Sequence, residues 1–309
     1  STNATRASKA VDVAEALCRC SREAGDLDLA IATGEEAMRH ASELGLEATD
    51  EYVRLGCTVL AAYQERGDLA RATLLAVNMV RIADAMGAPQ TRGAAYWNAS
   101  LVAESRGEIG QALVLVDRAV AMFGESDDRR NLARLRVTYA WLLLQQSPPE
   151  AERALELLDG TRSSLVEHSG AVDVSSCDTE RARALLALGR VTEARRAAEQ
   201  SLAGLGDLPR IESANARLLL GRVLREQGDL AGCIAQCTSA GAMLESMGAT
   251  RQAAAVWREL GDIYREIGQA DAAMDAYDRA LRAVRIAPVQ AHSLADATAH
   301  RQESDLAST

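Results

Sequence analysis

Between Trp257 and Ala280 the chain reads Trp257, Leu260-Gly261 and Tyr264, then Gly268, then Ala273 with Tyr277 four residues on. Offsets of three and four put Trp257, Leu260 and Tyr264 on one helical face, and Ala273 and Tyr277 on one face of a second helix. Gly268 lies between the two and turns one into the other. Such a hairpin buries nothing by itself, because its apolar face needs a neighbour of the same kind. The rest of the chain is therefore expected to hold more hairpins.

It holds them at an even spacing. Turn glycines equivalent to Gly268 stand at Gly25, Gly67, Gly107, Gly189 and Gly228, each about forty residues from the next except for one double interval between Gly107 and Gly189. The turn missing from that interval falls at Ser147-Pro148-Pro149, where proline breaks the helix instead. Seven helical hairpins result. Five residues after the turns stand Ala30, Ala72, Ala112, Ala194, Cys233 and Ala273. Seven residues before them stand Cys18, Ser100, Ala140, Ala182, Gly221 and Gly261, with Leu60 the exception. Small side chains recur where helix axes approach to about 8–10 Å. Gly45, Gly87, Gly124, Gly170 and Gly248 are expected to end the second helices in the left-handed conformation.

Composition agrees with an all-α chain. Hydrophobic residues make up 48% of the 309 residues, but aromatics only 3% and proline five residues, so the core is built from Ala, Leu and Val. A net charge of −10 and a pI near 5.1 argue against this segment holding a nucleic-acid backbone by itself. No apolar run is long enough to span a membrane. The six scattered cysteines are expected to be reduced thiols of a cytoplasmic protein. A chain opening on Ser1 is expected to be part of a longer one. The hairpins are expected to fill residues 1–288, and 289–309, without apolar periodicity, to form a mobile tail.

The Trp257–Tyr277 spacing resembles the tetratricopeptide repeat, which implies an α-α superhelix of about seven hairpins. Three further blocks carry a narrower likeness: Ala94-Ala95-Tyr96-Trp97-Asn98-Ala99-Ser100-Leu101-Val102-Ala103-Glu104, Leu132 to Leu144 followed by Pro148-Pro149, and Ala249-Thr250-Arg251-Gln252-Ala253-Ala254. With the repeat ladder, which carries the likeness up to about Pro288, they resemble the sensor half of actinobacterial regulators that join an Xre-type helix-turn-helix to tetratricopeptide repeats. No helix-turn-helix lies in these residues. The resemblance implies DNA binding only through an N-terminal domain outside this chain, a homodimer, and a signal held inside the superhelix.

In the standard register of such repeats, positions two, five, nine and twelve of each first helix face the groove. Those positions are Ala94, Trp97, Leu101 and Glu104 in the third hairpin, and Arg134, Val137, Trp141 and Leu144 in the fourth. The same reading places Arg54, Arg183, Arg222, Arg225, Arg258 and Arg265 on the concave side, with Asn98 and Asn215 as further donors. An apolar centre flanked by guanidinium groups suits a peptide with a free carboxyl end or an anionic small molecule. The plainer alternatives are that Trp97 and Trp141 pack against each other or a neighbouring helix. Each arginine taken singly is expected to pair with a carboxylate such as Glu104, Glu180 or Asp262.

Catalytic and metal chemistry is not expected. Cys18-Arg19-Cys20 and the pair Cys233 and Cys237 sit at or beside close-packing positions and read as small core residues. None of the four histidines neighbours a Cys or Ser in a plausible triad, and there is no phosphate-binding glycine loop. No cofactor is implied. The sequence points to a ligand-sensing regulatory domain. A protein–protein adaptor without a small signal is the rival, and the sensor arm of a larger ATPase-type regulator a third reading.

Overall fold

A computed structural model describes residues 2–24, 26–206 and 209–284. Fourteen helices run in order among them: α1 (Thr2–Glu23), α2 (Leu27–Glu43), α3 (Asp50–Arg66), α4 (Leu69–Met86), α5 (Pro89–Ser105), α6 (Ile109–Gly124), α7 (Arg129–Leu144), α8 (Ala151–His168), α9 (Ala171–Ala187), α10 (Val191–Leu205), α11 (Ile211–Glu226), α12 (Leu230–Ser246), α13 (Thr250–Glu266) and α14 (Ala270–Ala283). They pair into seven hairpins, α1/α2 through α13/α14, and each hairpin packs on the next. The described residues include no strand.

Where a turn reads Gly-Asp, two adjacent residues write it. Gly67 and Gly228 sit at φ 90° and 81°, the left-handed region that a side chain disfavours. The aspartates that follow cap the next helix: Asp68 Oδ1 accepts from the Arg71 N–H at 3.2 Å, and Asp229 Oδ1 from the Gly232 N–H at 2.8 Å. One Gly-Asp dipeptide thus ends one helix and starts its partner, and such a cap is worth about 1 kcal/mol. At the fourth hairpin α7 ends at Leu144 and α8 begins at Ala151, with the two prolines between. Gly25 and the 289–309 segment lie outside the described residues.

The small positions are the buried contacts between helices. Ala30, Ala72, Ala112, Ala194 and Cys233 are fully buried, as are Cys18, Ser100, Ala140 and Ala182. Gly241 shows why size matters: a Cβ there would lie 2.7 Å from the Trp257 indole, which the fold packs against α12 with 1% exposure. Trp257 is a core residue, with the Arg279 guanidinium stacked 3.9 Å from its ring centroid.

Two glycines differ from expectation. Gly45, Gly87 and Gly248 take positive φ at the ends of α2, α4 and α12. Gly124 instead stays helical at the end of α6, and Glu125 caps it in an ordinary right-handed conformation. Gly170 is the extended N-cap of α9, at φ −90° and ψ 172°, because α8 already ends through Ser169. Glycine at a helix end marks the boundary, but the chain's exit direction decides which conformation it needs.

Candidate functional site

The first helices of successive hairpins, α1, α3, α5, α7, α9, α11 and α13, form the inner layer. They pack closely along α1–α3–α5 and along α7–α9–α11, while α5 and α7 do not pack closely, nor do α11 and α13. Long side chains span both places. Between α11 and α13, Arg222 donates two hydrogen bonds of 2.7 Å to Glu259, and Arg225 reaches Glu266. Between α5 and α7, the Arg134 guanidinium lies over the Trp97 ring, 5.5 Å from its centroid.

The α5–α7 junction brings the two tryptophan candidates together with one of the arginines, Arg134. Trp97 and Trp141 are both half-buried and flank one apolar cluster with Tyr139 and Leu113. Trp97 meets Phe123 edge to face, with centroids 6.4 Å apart, so its structural partner is an aromatic residue of α6. Its indole Nε1 is buried with no acceptor among the described residues. Val137 is half-buried beside the neighbouring core, and Leu101 is half-buried with its carbonyl accepting from the Gln64 amide at 3.0 Å. Asn98 spends its amide on its own helix, donating to the Ala94 carbonyl at 2.9 Å. Asn215 is exposed on α11.

The inner arginines are mostly paired. Arg54 meets Asp12 at 2.6 Å, Arg134 meets Asp173 at 3.2 Å, and Arg183 meets Glu180 at 2.8 Å. Hydrogen bonding to Glu259 holds the Arg222 guanidinium above its ordinary range. An anion arriving here competes with carboxylates already in place, so the net field of the groove is weaker than its arginine content implies. Arg258 alone of the proposed set has no ion pair among the described residues. It lines a groove of about 730 Å³ between α13 and α14 with Asp262, Arg265, Tyr277 and Leu281.

Glu104 is a half-buried carboxyl of this layer. Burial raises it above the ordinary carboxylate range, while a hydrogen bond from the Ser105 hydroxyl and the charge of Arg251 act in the opposite sense. Arg251 is not among the residues that the repeat register places on the inner layer. It stands in one of the three family-like blocks, but its hydrogen bond is to a helix end 187 positions away, and no local pattern encodes it.

Cys18, Cys57, Cys177, Cys233 and Cys237 are buried and only Cys20 is exposed. No cluster of three or more metal-ligating side chains occurs among the described residues. No helix among the described residues is long and apolar enough to cross a membrane.

A profile of the tetratricopeptide repeat matches residues 254–283, the hairpin α13/α14. Solved structures extend the likeness over the chain. A Rap protein complexed with competence and sporulation factor superposes with a TM-score of 0.64 at 16% identity, covering 89% of this chain and 76% of that one. The fold is a tetratricopeptide-like superhelix. The Rap conjugation gene regulator of plasmid pLS20, in complex with the Phr* peptide, gives a TM-score of 0.65 at 15% identity over 84% of this chain and 69% of that one. The tetratricopeptide-like repeats of a putative kinesin light chain from Podosopora anserina give 0.52 at 18% identity, over 64% of this chain and 96% of that one. No curated protein sequence matches the chain.

Proposed function

We propose that this superhelix is the sensor of a regulator, which binds a signal peptide on its inner layer at the α5–α7 junction and acts by binding rather than catalysis. The observation that carries the reading is the junction itself. There α5 and α7 do not pack closely, and half-buried Trp97 and Trp141 border the junction with the Arg134 guanidinium, while Val137 lies beside the neighbouring core. Such surfaces suit an extended peptide, whose side chains alternate and whose apolar ones would lie against the two tryptophans. Of the two Rap structures of like fold, one is in complex with competence and sporulation factor and the other with the Phr* peptide, and the family-like blocks of the sequence point the same way. An anionic small molecule is a weaker fit, because the inner arginines are already matched by Asp12, Asp173, Glu180 and Glu259.

In this reading the sensor works in the cytoplasm as a homodimer and reaches DNA only through an Xre-type domain located N-terminal to Ser1. Residues 1–288 form the sensor and 289–309 are an appendage to it. The adaptor reading, in which the groove holds a segment of a protein partner, is separated by one experiment. The melting temperature is followed while the chain is titrated with the peptide fraction, and then the protein fraction, of an extract from its own cells. A rise with the peptide fraction alone supports the sensor. A rise with the protein fraction alone, and capture of one stoichiometric protein, supports the adaptor.

A further inference from the structure

Two distant hairpins of the array meet at one side chain. Arg251, the second residue of α13, donates from Nη1 to the Gln64 carbonyl at the end of α3, at 3.3 Å. Hairpins two and seven, five hairpin steps apart, therefore touch at this point. Two other observations put the arginine at the same place. Its Cδ would lie 3.4 Å from a Cβ on Gly67, the turn glycine that follows α3. Its charge also acts on the half-buried Glu104 near the end of α5. The acceptor side is anchored in turn, since the Gln64 amide donates to the Leu101 carbonyl at 3.0 Å and the Ser105 hydroxyl at 2.8 Å. A guanidinium thus meets the C-terminal end of α3 and lies near that of α5, where the helix dipole favours positive charge, and it shares the Gln64 carbonyl with the Gly67 N–H.

We propose that Arg251 is a clasp that closes the side of the superhelix, and that its release admits a ligand to the inner layer. The joints differ in strength. Adjacent inner helices are held by ion pairs such as Arg222–Glu259, bidentate at 2.7 Å. The clasp has one exposed hydrogen bond to a neutral carbonyl and a carboxylate at longer range. It is the contact that gives way first when the hairpins spread, and its loss leaves every hairpin's own core intact. Closure stands without any ligand; only the access role rests on the inner layer being the binding site.

Small-angle scattering of the whole chain tests closure, with wild type, Arg251→Glu and Arg251→Lys compared at low salt and with helicity checked by circular dichroism. The glutamate variant is expected to show a larger radius of gyration and maximum dimension with unchanged helicity. The lysine variant, which keeps the charge, is expected to stay near wild type. Identical scattering from wild type and Arg251→Glu overturns the clasp. Should the glutamate variant lose helicity, amide exchange in Arg251→Ala decides the matter. Faster exchange confined to the first turn of α13 and the last turn of α3 supports the clasp, and unchanged exchange there overturns it. A peptide-induced rise in melting temperature persisting in a variant of unchanged shape would remove the clasp and leave the sensor. An opened variant of a chain that binds no peptide would do the reverse.

Discussion

Arg134 joins three inner helices through one side chain: its guanidinium covers the Trp97 ring of α5 at 5.5 Å, while its Nε lies 3.2 Å from Asp173 of α9. The junction where α5 and α7 separate is therefore bridged rather than empty. A cation over an indole is worth about 0.5–1 kcal/mol at an exposed site, and an exposed ion pair about the same or less. Arg134→Ala is accordingly expected to lower stability by about 1 kcal/mol in urea unfolding and to change the tryptophan emission. Arg134→Lys keeps the charge but loses the planar stacking, and is expected to recover only part of the signal.

Glycines at the two kinds of helix site are expected to respond with opposite signs. Gly241→Ala drives a methyl against the indole of Trp257, which is itself fully buried, and is expected to cost about 1–3 kcal/mol. Gly160, within α8, has open space where a methyl would go, with nothing within 4 Å, so Gly160→Ala is expected to stabilise by about 0.5–1 kcal/mol. Paired denaturation curves check both.

Asp178 is a buried carboxylate, 2% exposed, and it accepts from Arg162 at 2.8 and 3.0 Å and from Arg181 at 3.2 Å. Removing one partner of a buried pair leaves the other charge uncompensated, typically about 3–5 kcal/mol. Because Arg162 stays partly exposed and Arg181 keeps Asp159, Asp178→Ala is expected below that range, at about 1–3 kcal/mol. Asp12→Ala removes the exposed partner of Arg54 and is expected to change stability by less than about 1 kcal/mol. Equal effects in thermal unfolding would contradict the contrast.

Thiol chemistry gives a further check. Burial pushes the thiol of Cys57 up to about 12, that of Cys177 to about 12 and that of Cys18 to about 11. Thiolate is the reactive form, so at about pH 8 these groups stay protonated as well as shielded. Mass spectrometry after brief alkylation is expected to show one modified cysteine, Cys20, in the native protein and six after denaturation.

Much of the fold is legible in the sequence because its signals are local. A Gly-Asp turn sets two helix ends with adjacent residues, and small residues such as Ala30 and Ala140 mark contacts within a hairpin or to the next one. What the repeats cannot show is the sum of their rotations. The contact between Arg251 and Gln64 depends on five successive hairpin angles, and each angle is fixed by packing rather than by any motif. The candidate site stands between these cases. Register places Trp97, Arg134 and Trp141 on neighbouring inner helices, but not the separation of α5 from α7, nor the turn of the Trp97 ring toward Phe123. Pairing of single arginines is expected on general grounds; that Asp12, Asp173 and Glu259 supply it from adjacent inner helices needs the stacked structure.

The central claim is that a peptide binds at the α5–α7 junction. Native mass spectrometry of the full chain after incubation with the peptide fraction of its own cells tests this directly, with wild type and Trp141→Ala run side by side. A discrete adduct of peptide mass is expected on wild type, and is expected to be lost or strongly reduced in a folded Trp141→Ala variant. No adduct on wild type, or an equal adduct on both proteins, would contradict it.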